Sequence, residues 1–132
     1  MNEPFWISKT TLLATHAALL QRFGGLAGVR DQHLVETALD RPRNRFFYEE
    51  PTPVLYVLAA SYAESIVGKK PFVDGNKRTG FMMAYTFLGL NGLQLIAPEE
   101  AAVERTLALA ARAITEADYA AWLRQSCRAR DE

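Results

Sequence analysis

The chain has 132 residues, of which 49% are apolar, and this length and composition suit one compact domain with a single core. Its 15 basic and 15 acidic residues cancel, so the formal net charge of zero gives no general attraction to nucleic acid or to an anionic membrane. We therefore predict a single domain over residues 1–132 that binds no nucleic acid directly and no membrane.

The cysteine content and the N-terminus predict where the protein resides. Cys127 is the only cysteine, which excludes an intrachain disulfide and is typical of a reducing compartment. The segment 1–4 has no basic region followed by an apolar stretch, so no signal peptide is expected. The apolar stretch 54–67 is shorter than a membrane span and contains polar residues. A soluble, cytoplasmic protein is expected.

Apolar residues recur at helical spacing through the first part of the chain. They predict a first helix that Ser8 begins as an N-cap and that Gly24-Gly25 ends. The short apolar segment Phe5-Trp6-Ile7 before this helix fits a strand. Asp31 is the expected N-cap of a second, short helix, and Pro42 should stop it.

The middle of the chain is expected to contain the central helices. Residues 43–50 fit neither the helical nor the strand period well, so we expect a loop or a small hairpin there. Thr52-Pro53 predicts the start of a third helix, which Gly68 closes. The segment from Arg78 to Leu90 is apolar on most sides, as in a helix at the centre of a fold, and Asn91-Gly92 ends it.

The last third of the chain predicts one more strand and two more helices. Leu93-Gln94-Leu95-Ile96 fits a second short strand, and Pro98-Glu99-Glu100 opens a helix with acidic residues in its first turn. Thr115 and Asp118 form a capping pair at the start of the last helix. The predicted fold is therefore mainly α, a compact bundle of about six helices with one or two short strands or a small hairpin.

Basic residues cluster in the segment 68–78, before the apolar central helix. Four cations stand against one carboxylate, that of Asp74, so the local charge is +3; the cations are Lys69, Lys70, Lys77 and Arg78. A turn containing Gly75 leads directly into the helix, and such a turn presents unpaired N–H groups and the positive end of the helix dipole to an anion. From charge and position alone, a phosphate site and a solvated basic turn are equally open.

The same segment resembles the motif of the Fic/Doc family, His-x-Phe-x-Asp/Glu-Gly-Asn, which lies between two helices. Here the register reads Lys70-x-Phe72-x-Asp74-Gly75-Asn76-Lys77-Arg78. The stretch 25–31, with Leu34 to Leu39 and Pro42, also resembles the N-terminal region of death-on-curing (Doc) toxins. The resemblance covers nearly the whole chain and implies the helical Fido fold.

Two positions indicate the Doc branch of this family. AMP-transferring members usually have Gly where this chain has Lys77, and a second Arg where it has Phe81, whereas Doc toxins resemble this chain at both. The resemblance implies a phosphotransferase that uses ATP and Mg²⁺, acts on a threonine of elongation factor Tu and inhibits translation. Its partner would be a Phd-like antitoxin. Two alternatives stay open: a non-enzymatic Fic-fold module that binds antitoxin or nucleotide, and a protein adenylyltransferase.

The resemblance assigns roles by position in the motif. The catalytic residues would be Lys70, Asp74, Asn76, Lys77 and Arg78. Gly75, Asn76, Lys77 and Arg78 would bind the nucleotide. Asp74 would hold Mg²⁺ or orient the phosphates, with capping of the next helix as an equal alternative. Phe72 would anchor the loop in the core and Pro71 would stiffen it. In the segment 43–50, the aromatic residues either fill the core or form a flap that aligns the target as an added strand.

Lys70 stands where the family has its histidine base, so the activity of this sequence is an open question. An imidazole, with a pKa of about 6.5, accepts a proton near neutral pH, whereas an ordinary lysine, with a pKa of about 10.4, does not. Impaired transfer is therefore expected. The chain is a natural degenerate member, carries an engineered substitution, or uses another base. His16 and His33 are the only histidines, and both are expected to cap or pack at the surface.

Overall fold

The computed structural model describes residues 2–130, and within them the chain forms six helices and one two-stranded antiparallel sheet. The helices are α1 (Lys9–Phe23), α2 (Gln32–Tyr48), α3 (Leu55–Lys69), α4 (Asn76–Leu90), α5 (Glu99–Ala110) and α6 (Glu116–Gln125). The strands are β1 (Leu93–Leu95) and β2 (Cys127–Ala129), with Leu93 opposite Ala129. The predicted mainly α bundle is confirmed. Among the described helices, each is too short or too polar to cross a membrane.

Helices α3 and α4 form the centre of the bundle. α3 packs against α2, α4, α5 and α6, and α4 also packs against α1 and β1. The two helices pack tightly at Gly80, where a Cβ atom would lie 2.6 Å from Cγ2 of Val67 and 3.1 Å from the carbonyl oxygen of Ala63. A glycine is therefore required for these two helices to approach each other at this position. The loop between them is the segment singled out by charge and motif.

Three predicted N-caps are confirmed by hydrogen bonds. The Ser8 hydroxyl accepts from the Thr11 N–H at 3.1 Å, and the Asp31 carboxylate accepts from the first turn of α2. Thr115 and Asp118 form a reciprocal capping box at the start of α6. These bonds satisfy backbone donors that a helix leaves unpaired at its first turn. Gly24 and Asn91 end α1 and α4 as predicted.

The prediction that Pro42 stops α2 and that 43–50 is a loop or hairpin is wrong, because α2 continues to Tyr48 with Pro42 inside it. A proline within a helix costs about 3 kcal/mol. Tertiary contacts act against this cost: Pro42 is buried, and Arg41 and Arg45 both bind the Glu116 carboxylate at 2.7 Å, which joins α2 to α6. Because this segment is helical as far as Tyr48, it has no free strand edge on which a target could be aligned. The flap alternative is therefore wrong.

The aromatic residues at the end of α2 have different surroundings. Phe46 is half-buried and packs edge-on against Trp6, with ring centroids 5.7 Å apart. Phe47 and Tyr48 are exposed. Of the two alternatives given for these rings, packing against the core is confirmed for Phe46.

Three smaller predictions are also wrong. Phe5-Trp6-Ile7 is not a strand, because its backbone bonds side chains instead of a neighbouring strand: Ile7 N–H donates to the Tyr62 hydroxyl. α3 begins at Leu55 after Val54, and Thr52 does not cap it. α3 also runs past Gly68 to Lys69 and ends at Lys70, whose backbone is left-handed.

The close packing at Gly80 predicts that Gly80→Ala destabilises the protein. The added methyl group would clash with α3, and overpacking costs typically 1–3 kcal/mol, which outweighs the gain of about 1 kcal/mol in helix propensity. Gly89→Ala in the same helix is the matched control, because its Cβ would lie 3.7 Å from Nη1 of Arg130, at an ordinary contact distance. Chemical denaturation should show a loss for Gly80→Ala and no loss for Gly89→Ala. Equal effects would contradict the packing argument.

Candidate functional site

Two segments of backbone are joined at the candidate site: the motif loop, residues 70–75, and the connector, residues 24–31, between α1 and α2. Val29 and Phe72 form an antiparallel bridge. The N–H groups of Arg30 and Asp31 both donate to the Pro71 carbonyl, at 2.7 and 3.1 Å, and Val73 N–H donates to the Gly28 carbonyl at 3.0 Å. The connector therefore determines the path of the motif loop.

The side chain of Arg30 holds the backbone at residue 70. Its Nε donates to the Lys70 carbonyl and its Nη2 donates to the Lys69 carbonyl, both at 2.6 Å. These carbonyls belong to the C-terminal end of α3, where a helix leaves its acceptors unpaired. Lys70 itself has φ 56° and ψ 62°, so its side chain leaves α3 from a left-handed residue. Arg30 thus fixes the position from which side chain 70 enters the site.

The Asp74 carboxylate accepts two backbone hydrogen bonds. Leu26 N–H donates to Oδ2 at 3.1 Å and Gly75 N–H donates to Oδ1 at 2.9 Å. These bonds, the one from Leu26 first, lower the pKa of Asp74 below its ordinary value, and the charge of Arg78 adds to the effect. The carboxylate is therefore charged at neutral pH. The alternative that Asp74 caps α4 is wrong, because no side chain caps α4 within residues 2–130.

The N-terminus of α4 is open toward a ligand. Gly75 is its N-cap residue, with φ +78°, a conformation that glycine adopts at little cost. Among the described residues, no side chain bonds the first-turn N–H groups, and the first turn contains no acidic residue. Lys77 and Arg78 lie in this turn. The backbone donors, the dipole and two cations therefore act together on one side of the loop.

Asn76 has a structural role that the sequence did not predict. Its side-chain Oδ1 accepts from Phe72 N–H at 3.1 Å, and its Nδ2 donates to the Phe72 carbonyl at 2.9 Å. The Phe72 side chain is only 1% exposed, which confirms its predicted role as the anchor of the loop. Because the amide of Asn76 closes the loop, a phosphate contact by this residue falls to its backbone N–H.

His16 is buried, so the prediction that it lies at the surface is wrong. Its ring stacks on Phe72, and its Nε2 lies 2.8 Å from the Asp74 carbonyl oxygen. It follows Leu12 by four residues on the inner face of α1, and this spacing is the signal by which its burial could have been found. His33 is exposed at the start of α2. Neither histidine lines the groove described next, so neither replaces the base at position 70.

A groove of about 600 Å³ lies in front of the motif loop. All the sequence-predicted site residues line it: Lys70, Asp74, Gly75, Asn76, Lys77 and Arg78. The rest of the lining is mainly apolar and contains Phe81, Val103 and Leu107, together with the polar residues Glu99 and Thr106 of α5. The guanidinium of Arg78 lies over the ring of Phe23, 4.4 Å from its centroid. The groove therefore has a cationic end at α4 and an apolar end between α4 and α5.

The donors present suit a polyphosphate with one hard cation. Mg²⁺ is usually bound in proteins by one or two carboxylates together with the phosphates of its ligand. Asp74 in the motif loop and Glu99 on α5 are the two carboxylates that line the groove, and the part of the chain that the structure describes contains no cluster of three or more metal-binding side chains. The site thus fits a metal that arrives with its nucleotide, and it does not resemble a self-contained metal centre.

Comparison with known proteins agrees with this geometry. The model of the Fic/DOC family matches residues 6–88. The protein named Toxin Doc of Mycolicibacterium smegmatis is 41% identical over 75 residues, which cover 57% of this chain and 58% of that protein. The protein named Protein kinase doc of Escherichia phage P1 is 38% identical over 96 residues, which cover 73% of this chain and 75% of that protein.

The family match includes both halves of the site, the connector and the motif loop. The stacked ring of Phe72, the open start of α4 and the cationic end of the groove lie in the matched region, whereas the groove residues of α5 lie beyond it. The chain belongs to the Fic/DOC family.

Proposed function

We propose that this protein is a Doc-like toxin of a type II toxin–antitoxin pair, and that its site binds ATP with Mg²⁺ for phosphoryl transfer to a protein hydroxyl. The name of the phage P1 relative, Protein kinase doc, supports phosphoryl transfer, and the name Toxin Doc supports the biological role. The observation that carries the proposal is the uncapped first turn of α4, with Lys77 and Arg78 beside it in the groove.

The binding step uses the cationic end of the groove. The phosphates lie over the first turn of α4, where the N–H groups, Lys77 and Arg78 neutralise their charge, which is the main task in phosphoryl transfer. Asp74 would hold Mg²⁺, which would supply additional positive charge to the bound nucleotide. Gly75 lets the backbone come close to the ligand because it has no side chain.

The transfer step requires a base. The hydroxyl oxygen of the target attacks the γ-phosphorus of ATP, a new O–P bond forms, the bond to the β-phosphate oxygen breaks, and ADP leaves. The hydroxyl proton must pass to an acceptor, and a charged lysine at position 70 accepts none. A positioned base typically contributes about 10² to 10⁴ in rate. We therefore propose that transfer is impaired in this sequence while nucleotide binding is retained.

The target that we propose is a threonine of elongation factor Tu, so that transfer would stop translation in the cytoplasm. This follows from the resemblance to Doc toxins, with Lys77 and Phe81 at the two positions that distinguish them from AMP-transferring members. A non-enzymatic binding module is the second candidate, and Lys70 itself favours it. Every element that we assign to binding is present even though the base is missing. Such a module would bind antitoxin or nucleotide without turnover.

A Phd-like antitoxin would silence the toxin by covering the groove. Phe23, Val103 and Leu107 are about half exposed along it, at 48%, 52% and 49%, and offer an apolar face to a partner segment. Since Phe81 replaces the second Arg of other family members, an inhibitory glutamate would find no arginine there. Coverage would then depend on apolar contacts and shape.

Arg78→Ala should weaken binding of ATP with Mg²⁺ by about 1.5–3 kcal/mol, because one charge-assisted hydrogen bond to phosphate is lost. Arg22→Ala is the matched control: Arg22 also stacks on Phe23, at 5.2 Å, but it does not line the groove. Titration calorimetry should show a loss only for Arg78→Ala. Equal affinity of Arg78→Ala and the original protein would refute the phosphate site.

Lys70→His should create or restore transfer, because the rest of the loop is already in place. A neutral imidazole supplies the missing acceptor, with an expected gain of about 10² to 10⁴ in rate. Transfer of a radiolabelled γ-phosphate to elongation factor Tu and growth arrest on induction are the two measurements. Lys69→His is the control, since Lys69 is a neighbour that lies outside the groove lining.

Two outcomes of this experiment would revise the proposal. If Lys70→His is as inert as the original protein in both measurements, the binding module replaces the kinase. If the original protein already transfers phosphate as fast as Lys70→His, the requirement for a base at position 70 is wrong.

Co-expression with the product of an adjacent upstream antitoxin gene should yield a stable complex. Leu107→Asp should weaken that complex at least tenfold, because it places a charge on the apolar wall of the groove. Leu90→Asp is the control, since Leu90 is similarly exposed, at 47%, but lies at the far end of α4. Pull-down at micromolar concentration measures both. Recovery of the toxin without its partner would count against this mode of inhibition.

A further inference from the structure

His16 is a buried titratable side chain that the proposed reaction does not use. It is 6% exposed, and its ring lies parallel to that of Phe72, with centroids 3.7 Å apart and an interplanar angle of 10°. Its Nε2 lies 2.8 Å from the carbonyl oxygen of Asp74. Because a carbonyl oxygen can only accept a hydrogen bond, Nε2 must carry a proton and donate it.

This bond determines how the peptide group between Asp74 and Gly75 is turned. In a trans peptide, the C=O and the N–H point in opposite directions. Here the carbonyl points to His16 on the core side, and the Gly75 N–H points to Oδ1 of Asp74 at 2.9 Å. Because glycine adopts both positive and negative φ, Gly75 does not itself prevent the Asp74–Gly75 peptide group from rotating to the opposite orientation. Reversal would turn the carbonyl oxygen toward the Asp74 carboxylate at the groove.

We propose that His16 is a positioning residue for the anion site, and that it acts through the Asp74 carbonyl. Its bond keeps this carbonyl oxygen, which would repel phosphate, on the side of the core. The donors at the start of α4 then face the ligand without a competing acceptor. The stacked ring of Phe72 keeps the imidazole in place, and the Asn76 amide in turn holds the backbone of Phe72. The nucleotide readout of this inference rests on the proposed function.

Two substitutions distinguish the effect of the His16 hydrogen bond from the effect of the stacked ring. His16→Phe keeps an aromatic ring against Phe72 but has no donor, whereas His16→Gln places an amide donor at a reach similar to that of Nε2. His33→Phe is the matched control, because His33 is exposed and lies outside the groove. Loss of one hydrogen bond should reduce affinity for ATP with Mg²⁺ about three- to tenfold in His16→Phe. His16→Gln should recover most of that loss.

The orientation of the Asp74–Gly75 peptide group can be measured in the absence of nucleotide. In amide NMR spectra of the free proteins, the Gly75 resonance should move strongly in His16→Phe, little in His16→Gln and not at all in His33→Phe. Thermal unfolding identifies any variant that does not fold. In the original protein, nitrogen-resolved NMR of the imidazole should show the proton on Nε2, and this measurement requires no substitution.

Each result supports or overturns the inference. An unmoved Gly75 resonance in folded His16→Phe, or a neutral His16 with its proton on Nδ1, would overturn it. So would an equal loss of affinity in His16→Gln and His16→Phe, because the ring would then be the part that acts. If the original protein binds no ATP, the proposed function fails, while the Gly75 resonances still decide the positioning role.

Discussion

The candidate site depends on the pairing of the connector, residues 24–31, with the motif loop, residues 70–75. Four backbone polar groups would otherwise be unpaired here, and the connector bonds each of them. The Pro71 carbonyl accepts from two N–H groups, the Val73 N–H donates to a carbonyl, and the carbonyls of Lys69 and Lys70 at the end of α3 accept from the guanidinium of Arg30. Buried or half-buried backbone groups that lack partners are costly, so these bonds select one path for the loop. The open start of α4 is a consequence of that path.

The same arrangement explains how a lysine can occupy position 70 while the rest of the site is intact. Residue 70 contributes its backbone to the fold, through its carbonyl bond to Arg30 and its N–H bond to Ile66. Its side chain is exposed at the groove. The fold therefore tolerates many different side chains at position 70, whereas proton transfer would require one that can accept a proton. A substitution at this position can therefore change the side chain in the groove while the motif loop keeps its geometry.

Local signals in the sequence predicted much of the fold. The caps Ser8, Asp31 and Thr115 act within a few residues of themselves, so propensity and spacing were enough to place them. The course of α2 past Pro42 could not be predicted in this way, because it depends on Glu116, which is 71 positions from Arg45. In the candidate site, too, local motif residues were predicted and residues that act over long sequence separations were not. The motif predicted six lining residues, those from the loop and the first turn of α4, but not Glu99 or Thr106. It also did not predict Arg30 and His16, which act through backbone carbonyls 40 and 58 positions away.

These sequence separations also determine the stage of synthesis and folding at which the candidate site can form. The bonds from Arg30, from Leu26 and from His16 to the motif loop each close a stretch of 39 to 58 residues. Closing such a stretch costs chain entropy that only the packed core can offset. A chain emerging from the ribosome therefore has no groove until α4 has been made and α1 to α4 have packed. Between its synthesis and this packing, the chain therefore passes through an interval in which the candidate site does not yet exist.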